Sequence, residues 1–278
     1  MKLRVVELLL VTTLPALFLS ARGLPPLGTS IATLVGGTLA AGAANAFNMV
    51  IESDSDKLMG RTATRPIARG DITENQALTF AFIITLISLA IMFVGTNLLA
   101  TGLTISAITF YVFIYTIALK RHTSQNIVWG GIAGCFPVVI GWAAVTGTLA
   151  APALWFFLVI FFWTPPHFWA LAIKYKDDYE AAGIPMLPVV ASQRNVTVQM
   201  WIHTVAMVVT SFMVLASADL PYYLWIINAV INLGFIWLMV GLRGNKNDID
   251  KAAIKIFHGS ISYLTVYSLV LIAGAFTL

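Results

Sequence analysis

The sequence predicts an all-α membrane protein in which nine transmembrane helices form one bundle. Only 10% of its 278 residues are charged and 59% are hydrophobic, whereas soluble domains contain about 25% charged residues. Apolar stretches of about 20 residues, each long enough to cross the hydrocarbon of a bilayer, recur along the whole chain. They are unbroken rather than alternating in polarity, which favours helices over the strands of a membrane β-barrel.

The apolar stretches leave no linker or low-complexity tract between them, so we expect one domain over residues 1–278. A cleaved signal peptide is the alternative interpretation of the first span, but no A-x-A cleavage site follows it. The single cysteine, Cys135, excludes an internal disulfide, and we interpret it as a packing residue. The predicted spans are 5–22, 28–51, 77–97, 100–119, 127–147, 151–173, 197–216, 221–241 and 256–277.

The basic residues predict the orientation of the bundle. With nine spans, the N-terminus and the segments after spans 2, 4, 6 and 8 lie on one side of the membrane. Those segments hold all of the 16 Lys and Arg residues except Arg22, which predicts an N-in, C-out topology by the positive-inside rule. We interpret the net charge of +4 as a sign of topology and anion handling, and we expect no nucleic-acid partner.

Two segments on the basic side, about 52–76 and 174–196, are longer and more polar than the other connections. Each follows a span that ends in charged residues. Long loops in compact domains are usually functional, so we predict that both are active-site loops at the cytoplasmic face.

The segment "NAFNMVIESDSD" places polar side chains at the end of the second span. Asn48, Glu52 and Asp56 are four residues apart, so they lie within about 80° of one another on a helix. Asn45 lies inside this arc and Asp54 lies well outside it. Carboxylates near a bilayer need a positive partner, and Mg²⁺ prefers such oxygen ligands. We predict that the three residues bind Mg²⁺; the alternative is a solvated helix end.

Four basic residues follow in "KLMGRTATRPIARG": Lys57, Arg61, Arg65 and Arg69. Carboxylates and arginines at one site match the needs of a metal-bridged diphosphate, because the metal neutralises part of the charge and Arg binds the remaining oxygens. We therefore predict that these residues bind diphosphate. The alternative is that they only mark the cytoplasmic side.

A second polar cluster ends the sixth span in "TPPHFWALAIKYKDDYE". Pro165 and Pro166 predict a break in the helix, which a membrane tolerates where the break lines a cavity. In a helix that restarts there, His167, Lys174 and Asp178 fall on one stripe. The alternative is a proline kink followed by ordinary solvated charges.

Both polar segments resemble those of a known family. "NMVIESDSDKLMGRTATRPIARG" resembles the first signature of the UbiA-type intramembrane prenyltransferases, in which Asn, an acidic residue and Asp are four apart and precede Arg-Thr and Arg-Pro. "TPPHFWALAIKYKDDYEAAGIPMLPVV" is similar to the protoheme IX farnesyltransferases (heme O synthases), over nearly the whole chain. Glu52 stands where many superfamily members have Asp, and Lys174 stands where the wider superfamily often has a second Asp.

The resemblance implies a bundle around a central cavity in a bacterial plasma membrane. It implies farnesyl diphosphate and heme B as substrates, heme O and diphosphate as products, and Mg²⁺ as cofactor. Membrane lipid is an expected partner, as are heme A synthase or the terminal oxidase assembly machinery. The implied catalytic residues are Asn48, Glu52, Asp56, Asp178 and Lys174, with Asp178 as a further metal ligand. The candidates for contact with heme or another part of the substrates are His167, His122, Tyr175 and Asn45.

Three other functions stay open. A prenyltransferase that acts on an aromatic quinone precursor fits the first segment equally well, and only the second segment disfavours it. A secondary transporter could use the acidic stripe as a cation site and the sixth helix as a gate, but transporters seldom need an Arg cluster beside two acidic sites. A scaffold for oxidase assembly would leave the buried carboxylates unexplained.

Overall fold

The computed structural model describes residues 3–58, 60, 62–243 and 246–278, and this part of the chain is helical without any strand. A π-helix, Phe110–Leu119, continues the sixth helix, and a 3-10 turn, Gly241–Arg243, precedes the last. The helices are α1 (Leu3–Ala21), α2 (Leu27–Ile51), α3 (Ser53–Leu58), α4 (Pro66–Arg69), α5 (Glu74–Gly95), α6 (Leu98–Thr109), α7 (Asn126–Gly130), α8 (Ile132–Thr146), α9 (Ala151–Lys174), α10 (Lys176–Ala181), α11 (Leu187–Val190), α12 (Gln193–Ser217), α13 (Tyr222–Val240) and α14 (Lys246–Ala275).

Eight helical segments of the described chain are long and apolar enough to cross a membrane. They confirm an all-α, multi-pass membrane protein, and each overlaps one of the predicted spans from 28–51 to 256–277. The remaining predicted span, 5–22, falls on α1, where the apolar stretch of the described side chains is Leu9–Ala21. The segments are Leu27–Ile51, Glu74–Gly95, Leu98–Leu119, Asn126–Thr146, Ala151–Lys174, Gln193–Ser217, Tyr222–Val240 and Asp248–Ala275.

Large apolar side chains cover the outside of the bundle. Phe82, Leu86, Val94 and Trp237 are each more than half exposed, as expected where lipid is the solvent, because lipid tails are as apolar as the side chains themselves.

The predicted break at Pro165 and Pro166 is wrong. Helix α9 runs continuously from Ala151 to Lys174, with both prolines buried inside it. Neighbouring helices enclose this stretch, and membrane helices tolerate internal proline where surrounding groups compensate for the lost hydrogen bonds. The helix ends later, at Lys174, and Tyr175 separates α9 from α10.

Helix α2 carries the small residues that open a space within the bundle. It packs closely on α5 at Gly36, where an added Cβ would lie 2.7 Å from the Sδ of Met92. The hydroxyl of Ser88 donates to the Gly36 carbonyl at 2.7 Å across this contact. Another face of α2 borders an internal cavity through Gly37, Ala40, Ala41 and Ala44.

A buried polar network joins α12, α13 and α14. The side-chain amides of Asn228 and Asn232 donate to Ser211 Oγ at 3.1 and 3.0 Å. The hydroxyl of Tyr263 donates to Asn232 Oδ1 at 3.0 Å, and that of Tyr267 donates to the Ser211 carbonyl at 3.1 Å. Such bonds between membrane helices contribute about 0.6 kcal/mol each on average, so the network fixes how these three helices pack.

Candidate active site

The acidic residues of the first polar segment lie at the junction of α2 and α3. Although α2 ends at Ile51, the helical hydrogen bonds continue: the Glu52 N–H donates to the Asn48 carbonyl at 3.0 Å, and the Asp56 N–H donates to the Glu52 carbonyl at 2.9 Å. Asn48, Glu52 and Asp56 are therefore all buried. The Asp54 side chain is 94% exposed, which is the separation that the helical wheel predicts.

Each buried carboxylate faces a basic side chain. Glu52 Oε1 lies 2.5 Å from Lys120 Nζ, and Asp56 forms an ion pair with Arg65. Glu52 Oε2 lies 4.0 Å from Arg65 Nη1 and has no hydrogen-bond partner among the described residues. These four residues, which we call the charged cluster, contain two acids and two bases.

The charged cluster is largely shielded from water. The side chains of Glu52 and Asp56 are 3% and 5% exposed, and those of Arg65 and Lys120 are 12% and 17% exposed. Burial lowers the pKa of the Lys120 ammonium, and the neighbouring Glu52 carboxylate opposes this effect. Charges in such a setting are screened far less than charges at a protein surface.

The π-helix positions the Lys120 side of the cluster. At its end, the Lys120 N–H donates to the Tyr115 carbonyl at 2.9 Å. The Thr116 hydroxyl donates to the Tyr111 carbonyl at 2.8 Å and accepts the side-chain amide of Asn48 at 3.2 Å. Isolated π-helical turns frequently occur at functional sites, and this one brings its polar residues to the acidic end of α2.

The loop between α3 and α4 positions the Arg65 side. The Thr62 hydroxyl donates to the Asp56 carbonyl at 3.0 Å, and the Arg65 N–H donates to the Thr62 carbonyl at 2.9 Å. Arg121 donates to Ser55 Oγ at 2.9 Å, which ties the end of the π-helix to α3.

A cavity of about 350 Å³ extends from the charged cluster into the membrane-spanning part of the bundle. Asp56, Arg65 and Lys120 are the charged residues of its lining, and most of the other lining residues are apolar or small. Along α2 the lining reaches from Asn48 to Thr33, about 22 Å at 1.5 Å per residue. This shape fits an amphiphilic ligand with an anionic head and a hydrocarbon chain.

Two glycines shape the wall that α7 and α8 contribute. Gly130 packs on the ring of Tyr115, where an added Cβ would lie 2.1 Å from Cδ2. Gly134 borders the cavity with nothing within 4 Å of an added Cβ. The absence of a side chain at Gly130 therefore leaves room for the Tyr115 ring, and its absence at Gly134 leaves the cavity wide.

Two of the four predicted diphosphate-binding residues lie apart from the charged cluster. Lys57 and Arg69 form exposed ion pairs with nearby aspartates at 3.1 and 2.9 Å. Arg65 borders the cavity, and Arg61 lies outside the described residues.

The second polar segment is spread over different surroundings. Lys174 is exposed, with its Nζ 5.3 Å from the centre of the Tyr175 ring, and Tyr175 is half-buried. Asp178 is half-buried on α10; the neighbouring Tyr179 borders the cavity, and Asp178 is not in the lining formed by the described residues.

His167 is buried against α14. Its Nδ1 lies 2.7 Å from Ser260 Oγ, and its ring stacks on those of Trp163 and Phe257 at centroid distances of 4.3 and 4.7 Å. Trp163 borders the cavity and donates its indole N–H to the Ser260 carbonyl at 2.9 Å. The other predicted histidine, His122, is exposed.

The residues of this site that were not predicted from the sequence include Lys120, Tyr111 and Thr116. The two uncharged residues lie within an apolar span and have no local signal. Lys120 does have a local signal, because it is the first charged residue after its span and lies on the same predicted side of the membrane as the acidic segment. Asn45, which is predicted, borders the cavity and lies 3.4 Å from the Tyr111 hydroxyl through its Oδ1.

The charged cluster suits a magnesium ion that binds with a diphosphate. No three His, Cys, Asp or Glu residues of the described chain form a group that could hold a metal. Mg²⁺, however, commonly uses one or two carboxylates with water and substrate phosphates. The unpartnered Glu52 Oε2, the Asp56 carboxylate and the Asn48 amide are the donors that fit this ion.

Close relatives of the chain have a common name. The protoheme IX farnesyltransferase of Renibacterium salmoninarum is 47% identical over 278 residues, which cover 99% of this chain and 87% of the relative. The protoheme IX farnesyltransferase of Mycolicibacterium smegmatis is 50% identical over 269 residues, which cover 95% and 86%.

Solved structures share the fold. The apo structure of a UbiA homolog from Aeropyrum pernix K1 gives a TM-score of 0.76 at 18% identity, over 99% of this chain and 97% of that chain. A UbiA homolog from Archaeoglobus fulgidus bound to DMAPP and Mg²⁺ gives 0.70 at 16% identity, over 98% and 97%. The model of the UbiA prenyltransferase family matches residues 9–261. Since this match spans most of the sequence, the chain belongs to the UbiA prenyltransferase family.

Proposed function

We propose that this protein transfers the farnesyl group of farnesyl diphosphate to a vinyl group of heme B, with addition of water, to give heme O and diphosphate. The names of its relatives support this reaction. The observation that carries the proposal is the charged cluster at the end of a long apolar cavity. Such a site accepts the diphosphate at its charged end and the farnesyl chain along α2.

We assign Asn48, Glu52 and Asp56 as the residues that would hold Mg²⁺. We add Asp178 from the sequence signature, because its neighbour Tyr179 already borders the cavity. When bound, the ion supplies neutralisation of charge on the departing diphosphate.

Arg65 and Lys120 donate to the diphosphate as its bond to the farnesyl C1 breaks and the electron pair passes to oxygen. Donors aimed at developing charge in a shielded site stabilise the transition state strongly. The other basic residues of the predicted set are Lys57, Arg61, Arg69 and Lys174. We propose that they attract the diphosphate anion toward the cavity.

The vinyl group of heme then attacks C1, and the resulting cation is conjugated with the porphyrin ring. Water adds to this cation, and the released proton passes to the departing diphosphate. Tyr111 and Tyr115 border the cavity, where their ring faces can stabilise an allylic cation. The apolar lining excludes water until the carbon–carbon bond has formed.

The predicted heme and substrate residues take three different positions. Asn45 borders the cavity and is placed to touch a substrate. His167 lies behind Trp163 and acts by holding that indole in place. His122 and Tyr175 are assigned to the cytoplasmic approach to the site.

We further propose nine spans in a single domain, with the N-terminus and the charged cluster at the cytoplasmic face of a bacterial plasma membrane. The distribution of basic residues supports this topology. Membrane lipid delivers both substrates, and heme A synthase or the terminal oxidase assembly machinery would receive the product.

The test is to incubate the purified protein with Mg²⁺, farnesyl diphosphate and heme B. Mass spectrometry should detect a heme that carries the added farnesyl and hydroxyl groups. Prenylation of an aromatic acid but not of heme would support a quinone pathway instead. No release of diphosphate with either acceptor would overturn a prenyl-transfer function.

A further inference from the structure

We propose that Lys120 and Arg65 are internal counter-ions that weaken the binding of Mg²⁺ alone, so that the metal binds preferentially together with the diphosphate. This inference rests on the proposed function and deepens it, because it concerns how the same site is loaded.

Both acidic residues of the charged cluster already have a cationic partner. Lys120 Nζ contacts Glu52 Oε1 at 2.5 Å, and Arg65 pairs with Asp56. A metal ion that entered alone would have to separate both ion pairs. It would leave the Lys120 ammonium and the Arg65 guanidinium without partners in a shielded site. Breaking one side of a buried pair is strongly unfavourable, because the remaining charge is uncompensated.

A diphosphate removes this obstacle. Its oxygens give Lys120 and Arg65 new anionic partners, and both carboxylates are then free to bind the metal. The net charge also favours joint binding: the charged cluster is neutral, so the metal alone adds two positive charges to it, whereas the metal and the polyanion largely compensate each other.

The chain allows this exchange without movement of the membrane spans. Lys120 is the first residue after the π-helix, and its long side chain is flexible. Its ion-pair partner in the described structure is Glu52. Arg65 precedes a four-residue helix in the connecting loop. Glu52 Oε2 lacks a hydrogen-bond partner among the described residues and lies 4.0 Å from Arg65 Nη1, so it becomes available to the metal once Arg65 turns to the diphosphate.

The coupling must be reciprocal. If the diphosphate raises the affinity for metal by some factor, the metal raises the affinity for the diphosphate by the same factor. We expect a factor of at least tenfold, within the range of about 5- to 150-fold that is typical for coupled sites.

The experiment measures binding without turnover. Mn²⁺ is titrated into the purified protein without heme, and free Mn²⁺ is followed by electron paramagnetic resonance, with and without farnesyl thiodiphosphate as a poorly reactive analogue. A titration that lacks protein corrects for Mn²⁺ bound by the analogue in solution. The Mn²⁺ dissociation constant should fall at least tenfold in the presence of the analogue.

Variants separate the counter-ions from other effects. K120M should bind Mn²⁺ alone more tightly than the parent protein, because Glu52 is freed, and its coupling should shrink. R65Q should behave likewise and serves as the second test if K120M does not fold. Lys255 is exposed on α14 and outside the cavity lining, so K255M is the matched control and should match the parent protein.

Two results would overturn the inference. One is equal Mn²⁺ affinity of the parent protein with and without the analogue. The other is unchanged or weaker binding of Mn²⁺ alone by folded K120M and R65Q. Binding of the analogue itself, measured by equilibrium dialysis with Mn²⁺ present, separates the two failures. No binding of the analogue would count against the proposed function, whereas an analogue that binds without changing the Mn²⁺ affinity would overturn the inference alone.

Discussion

Glu52 and Lys120 are 68 positions apart in the chain, yet their side chains meet at 2.5 Å in a largely buried ion pair. This contact joins the end of α2 to the end of the π-helix and closes the charged end of the cavity. Glu52 is also the residue whose second oxygen has no partner among the described residues. The same ion pair therefore connects two helical segments and lies where the diphosphate and its metal are proposed to bind.

The acidic residues should differ sharply in their effect on turnover. E52Q and D56N should each lower heme O formation by about 10²- to 10³-fold, the usual loss when a group that stabilises developing charge is removed. D54N is the matched control, since Asp54 is exposed, and it should retain near-normal activity. The measurement is heme O quantified by chromatography and mass spectrometry. Equal loss in all three variants would contradict the assignment of the buried face.

Arg65 should not be replaceable by lysine. R65K keeps the charge but loses the planar fork that binds carboxylate and phosphate oxygens together. We expect kcat/KM for farnesyl diphosphate to fall about tenfold, equivalent to about 1.4 kcal/mol. R194K is the control, because Arg194 is exposed at the start of α12. Full activity of R65K would show that charge alone suffices.

Gly134 should control the length of the prenyl chain that fits. A side chain there projects into open cavity space, so G134L should fold normally yet favour geranyl over farnesyl diphosphate. Gly234 on α13 also has nothing within 4 Å of an added Cβ and lies outside the cavity. G234L should therefore leave the preference unchanged. The measurement is the ratio of kcat/KM for the two diphosphates, and an unchanged ratio in G134L would refute the placement of the chain.

Gly130 should matter for stability. An added Cβ would overlap the Tyr115 ring at 2.1 Å, and overpacking of this kind costs about 1–3 kcal/mol. G130A should therefore lower the midpoint of thermal unfolding. Gly102 has open space around an added Cβ, so G102A should not lower it. Equal midpoints for the two variants would mean that the ring moves aside freely.

The helices could be predicted because hydropathy and length are local properties of the sequence. The wheel argument for Asn48, Glu52 and Asp56 also succeeds locally, since helical hydrogen bonds continue past the end of α2. The break at Pro165 could not be judged from the sequence, because the neighbouring helices that tolerate proline come from elsewhere in the chain.

Of the two basic residues of the cluster, Arg65 could be predicted from the sequence and Lys120 could not. A pair such as Glu52 and Lys120 depends on how distant helices pack, and the π-helix changes the spacing on which a helical wheel relies. By contrast, the pairing of Lys57 with the exposed Asp54 is a local contact between residues three apart in α3. Composition predicts basic residues at the charged end of the cavity, but it does not predict which of their side chains point into the cavity.

The polar network around Ser211 has a consequence for how the protein tolerates change. Among the described residues, the cavity lining ends at Met186, so α12, α13 and α14 contribute none of it. These helices instead support the bundle through the hydrogen bonds that they make with one another. Substitutions in the polar network around Ser211 should alter how much intact protein accumulates in a cell, while each folded molecule keeps its usual activity.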